Sequence, residues 1–245
     1  MTSRVALVTG GTGGIGTAIV KALASHGHRV ATNYRNEAKA LAWQDKMRAE
    51  GFEVAIVKGD VTSPQEAEAM VREVETKLGP IDILVNNAGI TRDRMFAKME
   101  AAQWNAVIST NLSSLFNMTK QVSAKMAERG WGRIINISSV NGLRGQAGQT
   151  NYSAAKAGVI GFTKALAAEL AAKGVTVNAI TPGYVATPMV MAIKPEILQS
   201  IIETVPMKRL ARPEEIGGAC VYLASEIAGF MTGSTMNICG GLYYQ

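Results

Sequence analysis

Cysteine is nearly absent. Cys220 and Cys239 are the only two in 245 residues, and they lie far apart. Two scattered thiols suit neither a disulfide framework nor a metal site, so they read as buried residues of a chain kept in a reducing compartment. No apolar run reaches the roughly 18 residues that a membrane helix needs. The opening Met1-Thr2-Ser3-Arg4 passes straight into a strand pattern, which leaves no room for a signal peptide. These absences predict a cytoplasmic protein that does not enter the membrane, with no bound metal.

Charge of one sign is not concentrated anywhere. The net charge of +6 is dispersed, without the basic stripe and stacking aromatics that nucleic-acid binding requires. Such an excess still favours a polyanionic small molecule, such as a nucleotide or a coenzyme A thioester. Linkers, repeats and shifts of composition are also missing. One domain over residues 1–245 is expected, long enough to bury a substantial core.

What is present is an alternation. Strand-like runs at Val5–Thr9, Val30–Tyr34, Val54–Val57 and Ile81–Val85 are separated by helical patterns near 15–26, 37–50 and 64–78. Ser63-Pro64 supplies an N-cap and first residue for the third helix. A long helix over about 101–129, a strand at Arg133–Ile137, a helix over about 151–172 and a strand at Val175–Ile180 continue the series. A helix near 213–225 and a strand near Ser234–Ile238 close it. This order predicts an α/β fold, a doubly wound Rossmann-type domain with a parallel sheet and helices on both faces. Between Pro182 and Pro206 four prolines break the pattern, and only short helices fit there. A substrate lid around 184–212 is the expectation, because long excursions in compact domains are commonly functional.

The first strand runs into Thr9-Gly10-Gly11-Thr12-Gly13-Gly14-Ile15-Gly16. In a strand–turn–helix context these glycines let backbone approach a pyrophosphate, whose charge meets a helix N-terminus. Gly10, Thr12, Gly13, Gly14, Ile15 and Gly16 are therefore candidate cofactor contacts. The second strand ends in Asn33-Tyr34-Arg35-Asn36, with no acid until Glu37. An acid there would bind a ribose 2′-hydroxyl, whereas Arg35 pairs with a 2′-phosphate, so the pattern favours NADP over NAD. A plain solvated arginine is the competing reading. At the end of the third strand, Asp60-Val61 offers a carboxylate to an adenine amino group, or else a helix cap.

Tyr152 and Lys156 are four residues apart on a helical pattern, with Ser139 thirteen residues upstream of the tyrosine. One helical turn puts phenol and ammonium on one face. A nearby ammonium is expected to lower the tyrosine pKa and ready it for proton transfer to an alcohol oxygen.

These elements resemble the short-chain dehydrogenase/reductase family over essentially the whole chain. The matches are the glycine turn, Asn86-Asn87-Ala88-Gly89, Asn111, Ser139, Tyr152 with Lys156, and Pro182-Gly183. The resemblance implies hydride transfer between a nicotinamide and a carbonyl or alcohol carbon, with NADPH as cofactor. It makes Tyr152 the general acid and Lys156 the group that tunes it and binds the nicotinamide ribose. Ser139 would orient the carbonyl, and Asn111 would hold a water that reprotonates Lys156. Asn87, Ala88 and Gly89 would line the adenosine ribose and pyrophosphate, and Pro182, Gly183, Val185 and Thr187 the nicotinamide carboxamide. Ser138 is the rival to Ser139, and the family's spacing selects the latter.

Within the family, Gly89–Asp93 and Gly145–Tyr152 look like reductases of 3-oxoacyl thioesters, and Glu128–Ala157 is similar to acetoacetyl-CoA reductases. The implied substrate contacts are Asp93, Gln146, Gln149 and Tyr184, besides Ser139 and Tyr152. A 3-oxoacyl-[acyl-carrier-protein] reductase of fatty acid synthesis is the alternative, with Arg92, Arg94, Lys98 and Arg129 as a landing patch for an acidic carrier. An inactive NADP-binding scaffold is the remote one. The family is commonly tetrameric, and the apolar stretch Gly229–Tyr244 would suit a subunit contact.

Overall fold

Strands that bury both faces read as unbroken apolar runs, and β1 (Val5–Val8) is buried at every position. Its side chains alternate: Val5 and Leu7 enter one core, Ala6 and Val8 the other. The computed structural model describes residues 3–244. Met1 and Thr2, where the expectation about a leader begins, lie outside them.

The remaining strands are β2 (Arg29–Tyr34), β3 (Val54–Lys58), β4 (Ile83–Asn86), β5 (Gly132–Ile137), β6 (Val175–Pro182) and β7 (Thr235–Ile238). They form one sheet in the order β3-β2-β1-β4-β5-β6-β7. Every pair is parallel. Helices α1 (Gly14–Ser25), α2 (Glu37–Ala49) and α10 (Pro213–Ala224) supply residues to the core on one face. Helices α3 (Pro64–Leu78), α5 (Ser114–Glu128) and α7 (Thr150–Leu170) supply the other. The chain winds outward from β1 to β3, then returns across β1 to start β4. That reversal opens a crevice beyond the carboxyl ends of β1 and β4, where ligands of such sheets bind.

The doubly wound fold is as expected, with strand and helix ends shifted by one or two residues. Ser63 caps α3 by accepting from Glu66 N–H at 3.2 Å. The helix expected over 101–129 differs. It is α4 (Ala101–Ile108) joined to α5 through a π-helical turn at Ser109–Ser113. Short elements at Phe96–Lys98 (3₁₀) and α6 (Asn141–Arg144) lack enough periodicity to be read in advance. The proline-punctuated segment holds α8 (Pro188–Met191) and α9 (Pro195–Thr204). Cys220 and Cys239 are free and buried. Among the described residues, no helix is long and apolar enough to cross a membrane.

Candidate active site

A cleft of about 700 Å³ opens at the switch point. Its nucleotide end is built from backbone. Gly10 turns the chain at φ +64°, a conformation glycine adopts without penalty. Side chains from neighbouring strands then hold the turn. Gly10 N–H donates to Asn33 Oδ1 at 2.9 Å, and Gly11 N–H to Thr32 Oγ1 at 2.8 Å. Asn33 Nδ2 reaches on to Gly59 O at 2.9 Å. From the far side, Asn87 Nδ2 donates to the carbonyls of Thr9 and Gly10. Thr9 Oγ1 accepts the backbone N–H of both Asn87 and Ala88.

Helix α1 begins with Gly13 as its N-cap, no side-chain cap and no acid in its first turn. Its first N–H groups, and the positive end of its dipole, therefore face the cleft. This is a fit for a pyrophosphate. A Cβ on Gly14 would sit 2.8 Å from Thr187 Cβ, so only glycine lets the segment after β6 close over the turn.

At the rim, Arg35 is 68% exposed and its Nη1 lies 3.2 Å from Asp60 Oδ2. Asp60 Oδ1 accepts from Thr62 N–H and Oγ–H. Partial burial pushes the Asp60 carboxyl up, but the Thr62 bonds and the Arg35 guanidinium outweigh it and hold the pKa below the usual range.

The other end of the cleft is built from side chains. Tyr152 and Lys156 stand one turn apart near the start of α7. Lys156 is 4% exposed and donates Nζ to Ile137 O at 2.7 Å. Burial lowers its pKa to about 8. Its ammonium is 5.7 Å from the Tyr152 ring centroid.

The expected lowering of the tyrosine pKa is not what this arrangement produces. Burial raises it, a hydrogen bond with Ser139 offsets part of the rise, and the Asp93 carboxylate adds to it. The ammonium is committed to Ile137 instead, and the phenol stays protonated at neutral pH.

Ser138 Oγ donates to Lys156 O at 2.7 Å, which braces α7 and leaves Ser139 as the serine beside Tyr152. Asn111 is fully buried in the π-helical turn. Its Oδ1 accepts from Ile90 N–H and its Nδ2 donates to Ile90 O, both at 2.8 Å. The wider π turn aims this residue across the helix face, a common use of such bulges. A Cβ on Gly89 would lie 3.1 Å from Asn111 Oδ1 and 3.7 Å from Lys156 Nζ, so the three residues converge. Asn86 braces the sheet through Asn136 Oδ1 at 2.9 Å.

Seventeen of the eighteen residues expected to meet the cofactor line this cleft, together with Ser139. Val185 does not. It is buried in the core and pairs with Ala211 across an isolated bridge. Tyr184, alternating with it, faces a second cavity of about 410 Å³ with Val205, Met207 and Tyr244. Gly183 borders both cavities. Asp93 and Gln149 hold each other, Gln149 Nε2 donating to Asp93 Oδ2 at 2.8 Å. Gln146 is exposed beside Arg144. Arg92, Arg94 and Lys98 lie on an exposed segment, but Arg129 does not join them. Its guanidinium binds Ile81 O and Asp82 at the amino end of β4, away from the cleft.

Sequence reading missed Asn33, Tyr34, Ile90 and Thr91 on the lining, whereas Met189, which also lines it, belongs to the segment expected to close over the acyl chain. For Asn33 a signal existed: an amide near the carboxyl end of a strand, two residues before Arg35.

Comparison with known proteins agrees with this fold. A family model described as short chain dehydrogenase matches residues 4–197. The chain is 68% identical to a nodulation protein G of Azospirillum brasilense over 246 residues, covering all of both. It is 53% identical to an acetoacetyl-CoA reductase of Cupriavidus necator, covering 99% of each. Identity to a 3-oxoacyl-[acyl-carrier-protein] reductase of Vibrio cholerae is 44%, covering 98% of this chain and 97% of that one. Among solved structures, an actinorhodin polyketide ketoreductase variant with NADPH superposes with a TM-score of 0.93. It is 41% identical, with 98% of this chain and 97% of the other covered.

Proposed function

This chain belongs to the short chain dehydrogenase family, and from that premise we propose that it is an NADPH-dependent reductase of 3-oxoacyl thioesters, converting acetoacetyl-CoA to 3-hydroxybutyryl-CoA. The observation that supports this substrate most is identity near 53–55% over almost the full length to several acetoacetyl-CoA reductases. The carrier-protein reductase at 44% is the second reading.

When bound, NADPH supplies the hydride. The first turn of α1 and the glycine turn bind its pyrophosphate, and Arg35 its 2′-phosphate. Asp60 and Val61 meet the adenine, and Asn87, Ala88 and Gly89 the adenosine ribose side. Lys156 binds the nicotinamide ribose, and Pro182, Gly183 and Thr187 flank the carboxamide. Tyr152 donates its proton to the substrate oxygen as charge develops there, and its raised pKa keeps that proton available at neutral pH. Ser139 stabilises the same oxygen by hydrogen bonding. Lys156, with a pKa lowered to about 8, exchanges protons readily near neutrality. Asn111 holds the water that returns a proton to it.

The acyl chain enters under the segment around 184–212, where Met189, Met191 and Ile197 are exposed. Residues 1–245 act as one catalytic domain. Gln146, on its exposed loop, meets the coenzyme A arm. We place the enzyme in polyhydroxybutyrate-type biosynthesis in the cytoplasm, working as a homotetramer. Exposed Phe116, Ile227 and Phe230 support subunit contacts. In one tube, acetoacetyl-CoA and its carrier-bound counterpart at equal concentration give the ratio of kcat/KM values directly. A ratio favouring the coenzyme A thioester is expected. A strong preference for the carrier-bound form would move the enzyme to fatty acid synthesis, and turnover of neither would refute the reading.

A further inference from the structure

A run of amides connects the exposed Asp93 to Ser139. Asn141 opens α6, is only 9% exposed, and gives its backbone N–H to Ser139 Oγ at 3.1 Å. Both ends of its side chain are used. Nδ2 donates to Gln149 Oε1 at 2.9 Å, and Oδ1 accepts from Arg144 Nε at 3.3 Å. Gln149 continues the run through its Nε2 to Asp93 Oδ2 at 2.8 Å. The turn is also pressed on the helix that carries Tyr152 and Lys156. A Cβ on Gly142 would lie 2.7 Å from the Lys156 carbonyl carbon.

The run has a direction. An ionised Asp93 only accepts, so Gln149 must present Nε2 outward and Oε1 inward, and Asn141 must answer with Nδ2. A serine hydroxyl carries one proton and two acceptor sites. With one acceptor site filled by the Asn141 N–H, the Ser139 proton is left to point at the phenol and the reacting oxygen. A pointed donor stabilises developing charge because it needs no reorganisation when the charge appears.

We infer that Asn141 and Gln149 are positioning residues for Ser139, anchored from outside by Asp93, and that Gln149 acts through this run and not by touching the thioester. The inference rests on the ketone-reductase reading above. It gives Gln149 a role that its sequence position does not suggest, and it adds Asn141, which has no place in the catalytic set.

Two ketones separate positioning from contact: acetoacetyl-CoA, and ethyl acetoacetate, which keeps the 3-oxo group without coenzyme A. Gln149→Ala and Asn141→Ala are expected to lower kcat for both by a similar factor, about two- to tenfold, the worth of a misdirected neutral hydrogen bond from Ser139 to the reacting oxygen. The Kd for NADPH, followed by fluorescence, should stay unchanged and reports a folded site. A loss confined to acetoacetyl-CoA and expressed in its KM would make Gln149 a thioester contact and overturn the inference. Reversing the run is a second test. Asn141→Asp leaves Gln149 between two acceptors and should lower kcat. Adding Asp93→Asn lets the Gln149 amide flip, restores donor to acceptor at each step, and should recover most of the rate. No recovery in a double variant that binds NADPH normally would overturn the inference. A wild-type chain that reduces neither ketone would overturn the functional reading and this inference with it. One that reduces both, while the variants lose only the thioester, would overturn this inference alone.

Discussion

The two ends of the cleft are held by opposite means. At the nucleotide end, the ligand-facing groups are mainly backbone N–H of a turn and a helix start, and Thr32, Asn33 and Asn87 serve them from behind. At the reaction end the working groups are side chains from α7, the segment after β5 and the π turn, kept in place by burial. Backbone donors need only the right turn, so one short stretch of sequence specifies them. Side-chain groups need their surroundings, so their chemistry follows from what the whole fold packs around them. Variants at the first end should alter binding, and variants at the second should alter rate.

The largest expected effect breaks the reaction end alone. Tyr152→Phe should lower kcat by roughly 10²–10⁴-fold, the usual worth of a general acid, with NADPH affinity largely kept. Near wild-type turnover in this variant would remove the tyrosine from the mechanism.

Next comes the buried ammonium. Below pH 8, Lys156 is charged both folded and unfolded, and the cost of its burial is fully present. Between pH 8 and its ordinary 10.5, the folded chain releases the proton first, so stability rises with pH. Measured without added nucleotide, wild type should gain on Lys156→Met by about 3 kcal/mol across that window. A difference in unfolding free energy that stays flat with pH would contradict the lowered pKa.

Arg35→Ala tests the nucleotide end. A charge-assisted contact with a 2′-phosphate is worth about 1.5–3 kcal/mol, so NADPH should weaken roughly ten- to a hundredfold while NADH changes little. Equal losses for both would assign Arg35 to its pair with Asp60 only.

The smallest effect sharpens the contrast. Asn33→Ala leaves Gly10 N–H and Gly59 O without their partner, at about 1–3 kcal/mol for such buried groups. Both nicotinamide cofactors should weaken together, with kcat at saturation kept. A fall in kcat alone would show that the two ends are coupled.

Much of this site was legible before any fold was known, for reasons visible in single residues. The glycine turn could be read because its spacing answers a local demand, the approach of backbone to a diphosphate. Tyr152 with Lys156 could be read because four residues on a helix fix a shared face. The reversed shift of the Tyr152 pKa could not, since it depends on burial by distant segments and on where the Lys156 ammonium ends up. Tyr184 and Val185 escaped for a related reason. After Gly183 the alternation sends one to a second cavity and the other into the core, and no local pattern sets that phase.

The doubly wound fold, the glycine turn and the candidate reacting groups could be read from the chain alone, because they follow from short-range geometry and residue chemistry. Only the tertiary structure decided which groups pair, as Asp93 does with Gln149 and Lys156 with Ile137. Those partners lie 56 and 19 residues apart, and burial, which sets the strength and sign of each electrostatic effect, exists only once the sheet and helices have closed around them.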